Sequence, residues 1–63
     1  MEEAGACLDE AAAHCRVAAQ HFRDREVPRA GAHAWAAVGR LADAAELLSR
    51  QARDHAARSR PQV

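Results

Sequence analysis

The stretch REVPR, residues 25–29, decides the fold, because its proline separates two long alanine-rich segments. The residue before a proline is disfavoured in the α conformation, while proline itself is well tolerated in the first turn of a helix. We therefore predict one domain spanning 1–63, with a first helix over about 2–26, a hinge at 27–28 and a second helix over about 28–58. A short basic tail, 59–63, follows Arg58.

Apolar residues recur at helical spacing in both segments. The first segment's stripe comprises Ala4, Leu8, Ala11, Ala12, Cys15, Ala18, Ala19 and Phe22. The second comprises Ala34, Ala37, Val38, Leu41, Ala44, Ala45, Leu48 and Ala52. Folding the chain back at the proline pairs residues whose numbers sum to about 56, such as Cys15 with Leu41. Alanine pairs at Ala11/Ala12 and Ala44/Ala45 would let the helix axes approach at the tight end of the usual range of about 8–10 Å. The sequence thus predicts an all-α antiparallel helical hairpin with these two stripes in contact.

The bulky apolar content of the chain is small, because alanine fills eighteen of the 63 positions. Below roughly 70–80 residues a single core seldom supplies more than about 3–5 kcal/mol, and oligomerisation is a common supplement. Trp35 and Leu47 lie about 120° from the stripe on opposite flanks, where one hairpin cannot cover them. We therefore predict a homodimer forming an antiparallel four-helix bundle. Its expected interface residues are Phe22, Trp35, Val38, Leu41, Leu47 and Leu48. The function that this favours is a non-enzymatic interaction or assembly module.

A second organisation is suggested by an internal repeat. Leu8-x-Glu10-Ala11-Ala12 recurs as Leu41-x-Asp43-Ala44-Ala45, an offset of 33 residues. This period and the run 39–44 resemble a tetratricopeptide repeat, with Trp35 at the aromatic position of its first helix. The resemblance covers about one and a half repeats. It implies a helix break at Gly39 and a three-helix, peptide-binding fragment.

Potential metal ligands follow one flank of the first helix. Cys7, His14 and His21 recur every seven residues, and Glu10 lies four residues before His14. Successive members of that row are about 10.5 Å apart, whereas zinc ligands lie about 2.0–2.3 Å from the ion. A metal-binding or metal-responsive bundle would therefore need further ligands from a dimer, with His33 as a candidate. The competing interpretation is a polar edge with no metal and no cofactor. A pH-sensitive assembly is a further hypothesis, because the chain has four histidines.

Other functional classes have little support in the sequence. There is no glycine-rich phosphate loop, and the adjacent residues His14 and Cys15 point about 100° apart on a helix. We expect no enzymatic activity. Four arginines gather near the C-terminal end, but the net charge is zero, so nucleic acid is not an expected partner. These arginines are Arg50, Arg53, Arg58 and Arg60.

The N-terminal residues and the cysteines bear on the cellular compartment of the protein. The start of the chain is acidic and has no apolar signal region, and no apolar run approaches membrane-spanning length. Cys7 and Cys15 would lie about 12 Å apart on one helix, which is too far for a disulfide. We expect a cytoplasmic protein with no membrane partner. The absence of Lys, Ile, Asn, Thr and Tyr favours a GC-rich bacterial genome.

Overall fold

The structure is a computed structural model that describes residues 1–59 and 61. It consists of two α-helices, α1 (Glu2–Arg23) and α2 (Val27–Arg58), which pack side by side. The described residues contain no β-strand. The molecule is a rod with principal extents of 57 × 21 × 15 Å. The predicted all-α helical hairpin is therefore confirmed.

The charges at the ends of α1 suit its dipole. Glu2 and Glu3 lie in the first turn, and His21 and Arg23 lie in the last turn. Anions at the start and cations at the end of a helix each contribute roughly 0.3–1 kcal/mol. Local charge placement thus supports a helix that few large apolar contacts hold in place.

The chain reverses at 24–26, before the predicted hinge at 27–28, and α1 ends three residues earlier than expected. Arg25 adopts a left-handed conformation with φ of 61°. The backbone N–H of Glu26 donates to His21 O at 2.8 Å, and that of Arg25 donates to Phe22 O at 3.1 Å. These two bonds form a Schellman motif, which satisfies carbonyls that the helix end leaves free.

Val27 and Pro28 lie inside α2 and not in the hinge. Pro28 occupies the first turn of the helix, where an N–H group has no intrahelical partner and its absence costs little. The hinge prediction failed because it treated the proline as the site of reversal. The reversal is made by Arg25, whose residue type gives little sign of a positive φ.

Helix α2 is continuous for 32 residues and runs through Gly39 without a break. The alternative three-helix organisation, which required a break at Gly39, is therefore wrong. The helix ends at Arg58, as predicted. At this end the Ser59 hydroxyl donates to His55 O at 2.8 Å. Most of the predicted basic tail, 59–63, lies outside the described residues.

The core of the hairpin is made of alanine methyl groups. Six alanines are between 0% and 5% exposed, and no larger side chain among the described residues is fully buried. They recur every seven residues on each helix: Ala4, Ala11 and Ala18 on α1, and Ala30, Ala37 and Ala44 on α2. Small side chains let two helix axes approach closely, so this contact excludes bulkier groups.

The large members of the predicted stripes do not lie between the helices. Leu8, Phe22 and Leu41 all remain exposed. The pairing is also shifted: Glu10 contacts Arg40 and His14 contacts His33, so contacting residue numbers sum to 50 and 47 and not to 56. This part of the prediction failed because the earlier turn changes the register, and because the close contact selects alanine over leucine.

The hydropathy of the helices bears on membranes. Within the described residues, neither helix is both long enough and apolar enough to cross a bilayer.

Candidate functional site

The hairpin has two long sides with different chemistry. On each helix, the residue three positions after a core alanine lies about 60° to one side of it, and the residue four positions after lies about 40° to the other. The first kind of row holds His14 on α1 and His33 on α2, and these two residues contact each other. Both rows of the first kind therefore meet on one side of the hairpin, and both rows of the second kind lie on the opposite side.

We call the second of these the apolar side. It is formed by the positions one and four residues after the core alanines. On α1 these positions are Gly5, Leu8, Ala12, Cys15, Ala19 and Phe22, and on α2 they are Gly31, Ala34, Val38, Leu41, Ala45 and Leu48. None of the twelve is charged. Its large members are 40–54% exposed, with Leu48 at 40% and Phe22 at 54%. The single chain thus leaves an uncharged surface open along its length.

The predicted interface residues are distributed unequally over the molecule. Phe22, Val38, Leu41 and Leu48 all lie on the apolar side. Trp35 is 76% exposed on the outer surface of α2, away from α1. Leu47 lies on the opposite side, where it is half-buried and lines a shallow depression beside Glu3 and Cys7. The structure therefore brings four of the six together.

We call the other side the polar side, because it carries three of the four histidines and most of the ion pairs. Glu10 pairs with Arg40 across the two helices, and Arg40 also lies 3.3 Å from Asp43. Further along α2, Arg50 lies 3.2 Å from Glu46. These pairs are exposed, so each is expected to contribute only about 0.2–1 kcal/mol. Several of the arginines are thus already matched by carboxylates of the same chain.

Three histidines form a cluster on the polar side. The Nδ1 atoms of His14 and His33 lie 3.0 Å apart, and their ring centroids lie 5.2 Å apart. The ring of His21 stacks on that of His33, with centroids 5.5 Å apart and an interplanar angle of 20°. All three side chains are half-buried. The cluster therefore links the two helices through imidazole contacts.

The Nδ1 atom of His21 lies next to the carboxylate of Glu26. It lies 3.1 Å from Glu26 Oε2, and this contact does not have the geometry of a hydrogen bond. A protonated His21 would form an ion pair there. Glu26 also lies 3.4 Å from Arg29, so its carboxylate lies between the last turn of α1 and the first turn of α2.

The metal-ligand candidates on α1 are only partly brought together. Among the described residues, no three His, Cys, Asp or Glu side chains are placed to surround one ion. Glu10 is engaged with Arg40, and Cys7 lines the depression near Leu47. His14 and His21 instead meet His33 of the same chain. The sequence placed His33 as a ligand from a dimer, and its shared row position with His14 was the signal for an intrachain contact.

Comparison with known proteins identifies no relative. No family model, curated protein sequence or solved structure matches the chain. Function is therefore inferred from the chemistry of the two sides of the hairpin.

Proposed function

We propose that the chain is a non-enzymatic assembly module that self-associates through its apolar side, two hairpins forming an antiparallel four-helix bundle. The observation that carries the proposal is the run of twelve uncharged positions along that side. A continuous apolar surface with a polar opposite side is typical of an association surface. The charged residues of the polar side would stay in water when the apolar sides meet.

The small core of the single hairpin supports the same proposal. Burying a leucine or phenylalanine side chain contributes roughly 1.5–3 kcal/mol, and a methyl group contributes considerably less. The single chain buries six alanines and leaves Leu8, Leu41 and Phe22 open. Association would bury these side chains and add the stabilisation that the alanine core does not supply.

A second copy of the chain is the partner that the pattern favours. Both helices contribute rows with the same seven-residue repeat, so a hairpin turned about a two-fold axis presents matching rows. The rows contain both bulky and small residues, for example Leu41 and Ala34, which allows interdigitation at the contact.

Cys7 and Cys15 are free thiols, which is consistent with a reducing compartment, and we expect the module to act in the cytoplasm.

The test is the solution mass by light scattering coupled to size exclusion, in buffer with and without a chelator. We expect the wild-type chain to have twice the mass of one chain. Leu41→Glu should reduce the mass to that of one chain, because association would bury an unpaired carboxylate. Val17→Glu is the matched control. Val17 is 41% exposed against 48% for Leu41, but it lies on the polar side, so its substitution should leave the mass unchanged.

Circular dichroism of each variant establishes that the chain is still helical. A wild-type monomer at all accessible concentrations would overturn the proposal. So would equal dissociation by both glutamates, because the apolar side would then have no special role. An assembly that falls apart in chelator would instead favour the metal-responsive bundle.

A further inference from the structure

We propose that His14 and His33 form an intrachain site for a divalent transition-metal ion of the nickel or copper type, bound through the Nδ1 atoms of both rings. The site lies on the polar side and joins α1 to α2. It does not depend on self-association, because the apolar side lies on the other face of the hairpin.

The distance between the two nitrogen atoms carries the proposal. The Nδ1 atoms of His14 and His33 lie 3.0 Å apart. Two imidazole nitrogens at bond lengths of about 2.05 Å from one ion and 3.0 Å from each other subtend an angle of about 94° at the ion. The ring centroids, 5.2 Å apart, place the rings of the metal-free pair nearly head to head, so each ring turns about its χ2 torsion to direct its Nδ1 lone pair at the ion. This angle is close to that of neighbouring positions in square-planar or octahedral geometry and is smaller than the tetrahedral angle. Nickel(II) and copper(II) favour tetragonal or square-planar sites with nitrogen ligands.

The proton inventory of the pair permits this binding. A hydrogen bond between two neutral imidazoles needs one Nδ1–H donor and one Nδ1 acceptor. When an ion binds both Nδ1 atoms, the donor ring changes tautomer and carries its proton on Nε2. The neutral pair therefore releases no proton. Water molecules complete the coordination, since two histidines supply only two positions.

The surroundings define which other groups belong to the site. His21 stacks on His33, and its Nδ1 atom lies 3.1 Å from Glu26 Oε2. The carboxylate of Glu10 is paired with the guanidinium of Arg40. The ligand set is thus the two histidines, with His21 as a ring that packs against His33.

The experiment is a calorimetric titration of the untagged, chelator-free chain with nickel chloride. We expect one ion per chain. Even a residue that only orients a metal ligand commonly contributes about 10–100-fold to affinity. His14→Gln and His33→Gln should therefore each lower the affinity at least about tenfold. His55→Gln is the matched control, because His55 is exposed near the C-terminal end of α2 and should have no effect on binding.

Two further measurements do not depend on the variants being folded. Octahedral nickel(II), with water in its other positions, is paramagnetic and should broaden the ring proton resonances of His14 and His33 in the wild-type chain before those of His55. Nickel should also raise the thermal midpoint of the wild-type chain, because the ion holds the two helices together only in the folded state. Binding to Leu41→Glu should match the wild type, which separates this site from the proposed assembly.

Three outcomes would overturn the site. Full affinity in both His14→Gln and His33→Gln would show that neither ring is a ligand. Thiolate-to-nickel absorption bands would assign the ion to Cys7 or Cys15. A stoichiometry of one ion per two chains would show that the ion bridges hairpins and is not held within one.

Discussion

Ala37 shows why small side chains occupy the contact between the helices. It is 3% exposed and lies on the inner face of α2 with Ala30 and Ala44. Interiors packed at native density admit few extra methylene groups without displacing neighbours. A methyl group at this position thus limits the distance between the helices, and a larger group would have to increase it.

We predict that Ala37→Leu lowers the free energy of unfolding by about 1–3 kcal/mol, the usual cost of overpacking a close contact. The control is Ala42→Leu, on the exposed outer surface of the same helix, which should change stability by less than about 0.5 kcal/mol. Urea denaturation at one fixed protein concentration measures both. Equal losses in the two variants would show that Ala37 is not in a close contact.

The residue types in this chain indicate which side chains are candidates for the core, but they do not indicate which of these the core contains. The periodicity marked five of the six core alanines and missed Ala30, and it could not separate the residues between the helices from those outside. Ala11 and Cys15 lie only about 40° apart on the helix, so both satisfy the same pattern. Side-chain size decides between them, because a close contact accepts the alanine row and excludes the row with Leu8 and Phe22.

At the scale of the elements, the turn between the helices depends on one strained residue. Arg25 is the non-glycine residue with positive φ in the described part of the chain. The left-handed conformation costs an ordinary L-residue about 1–2 kcal/mol, and glycine is preferred at this place in a Schellman motif. The turn therefore retains an unfavourable local energy that the packing of α1 on α2 offsets.

Arg25→Gly should raise the free energy of unfolding by about 1 kcal/mol, because it removes the steric cost of the left-handed conformation. Arg16→Gly, in the exposed interior of α1, should lower it by a similar amount, since glycine there loses more conformational entropy on folding. Thermal or urea denaturation measures the two shifts. Changes of the same sign in both variants would contradict the assignment of Arg25 to the turn.

The elements themselves were largely predictable. Long alanine-rich segments free of internal proline gave the two helices, and the end of α2 at Arg58 agreed with the cations near it. The turn was misplaced because proline is a strong signal in the sequence and a left-handed arginine is a weak one. A displacement of a few residues at the turn then shifted every cross-helix pair, including His14 with His33.

At the scale of the whole molecule, the hairpin is amphipathic as a unit. Its apolar side is uncharged along twelve positions, and its polar side carries the contacts of Glu10, Arg40 and the histidine cluster. Two helices alone cannot cover both sides. The proposed assembly covers the apolar side and leaves the polar side in water.

We predict that the thermal midpoint of the wild-type chain rises with protein concentration, because association binds only the folded chain. Scanning calorimetry over about a hundredfold range of concentration measures this dependence. Leu41→Glu should have a midpoint that is both lower and independent of concentration. A wild-type midpoint that does not move would mean that folding and association are not linked.

Association could be expected from the sequence, since the chain is short and its few bulky residues outnumber the places inside one hairpin. The side that we propose for it could not be expected. The exposed apolar side could lie three positions or four positions after the core alanines. How the helices cross decides between the two, and the spacing of residues does not encode it. Leu47 and Leu48 differ by one position, yet one is half-buried on the polar side and the other lies on the apolar side.

The seven-residue spacing of the core alanines has a consequence for alignment. Sliding α2 along α1 by two turns would again place alanine beside alanine, so methyl packing alone distinguishes poorly between the two alignments. The choice is instead encoded by the turn at Arg25 and by contacts between unlike polar groups, such as Glu10 with Arg40. In this hairpin the core alanines hold the two helices together, whereas Arg25, Glu10 and Arg40 fix how the helices are aligned.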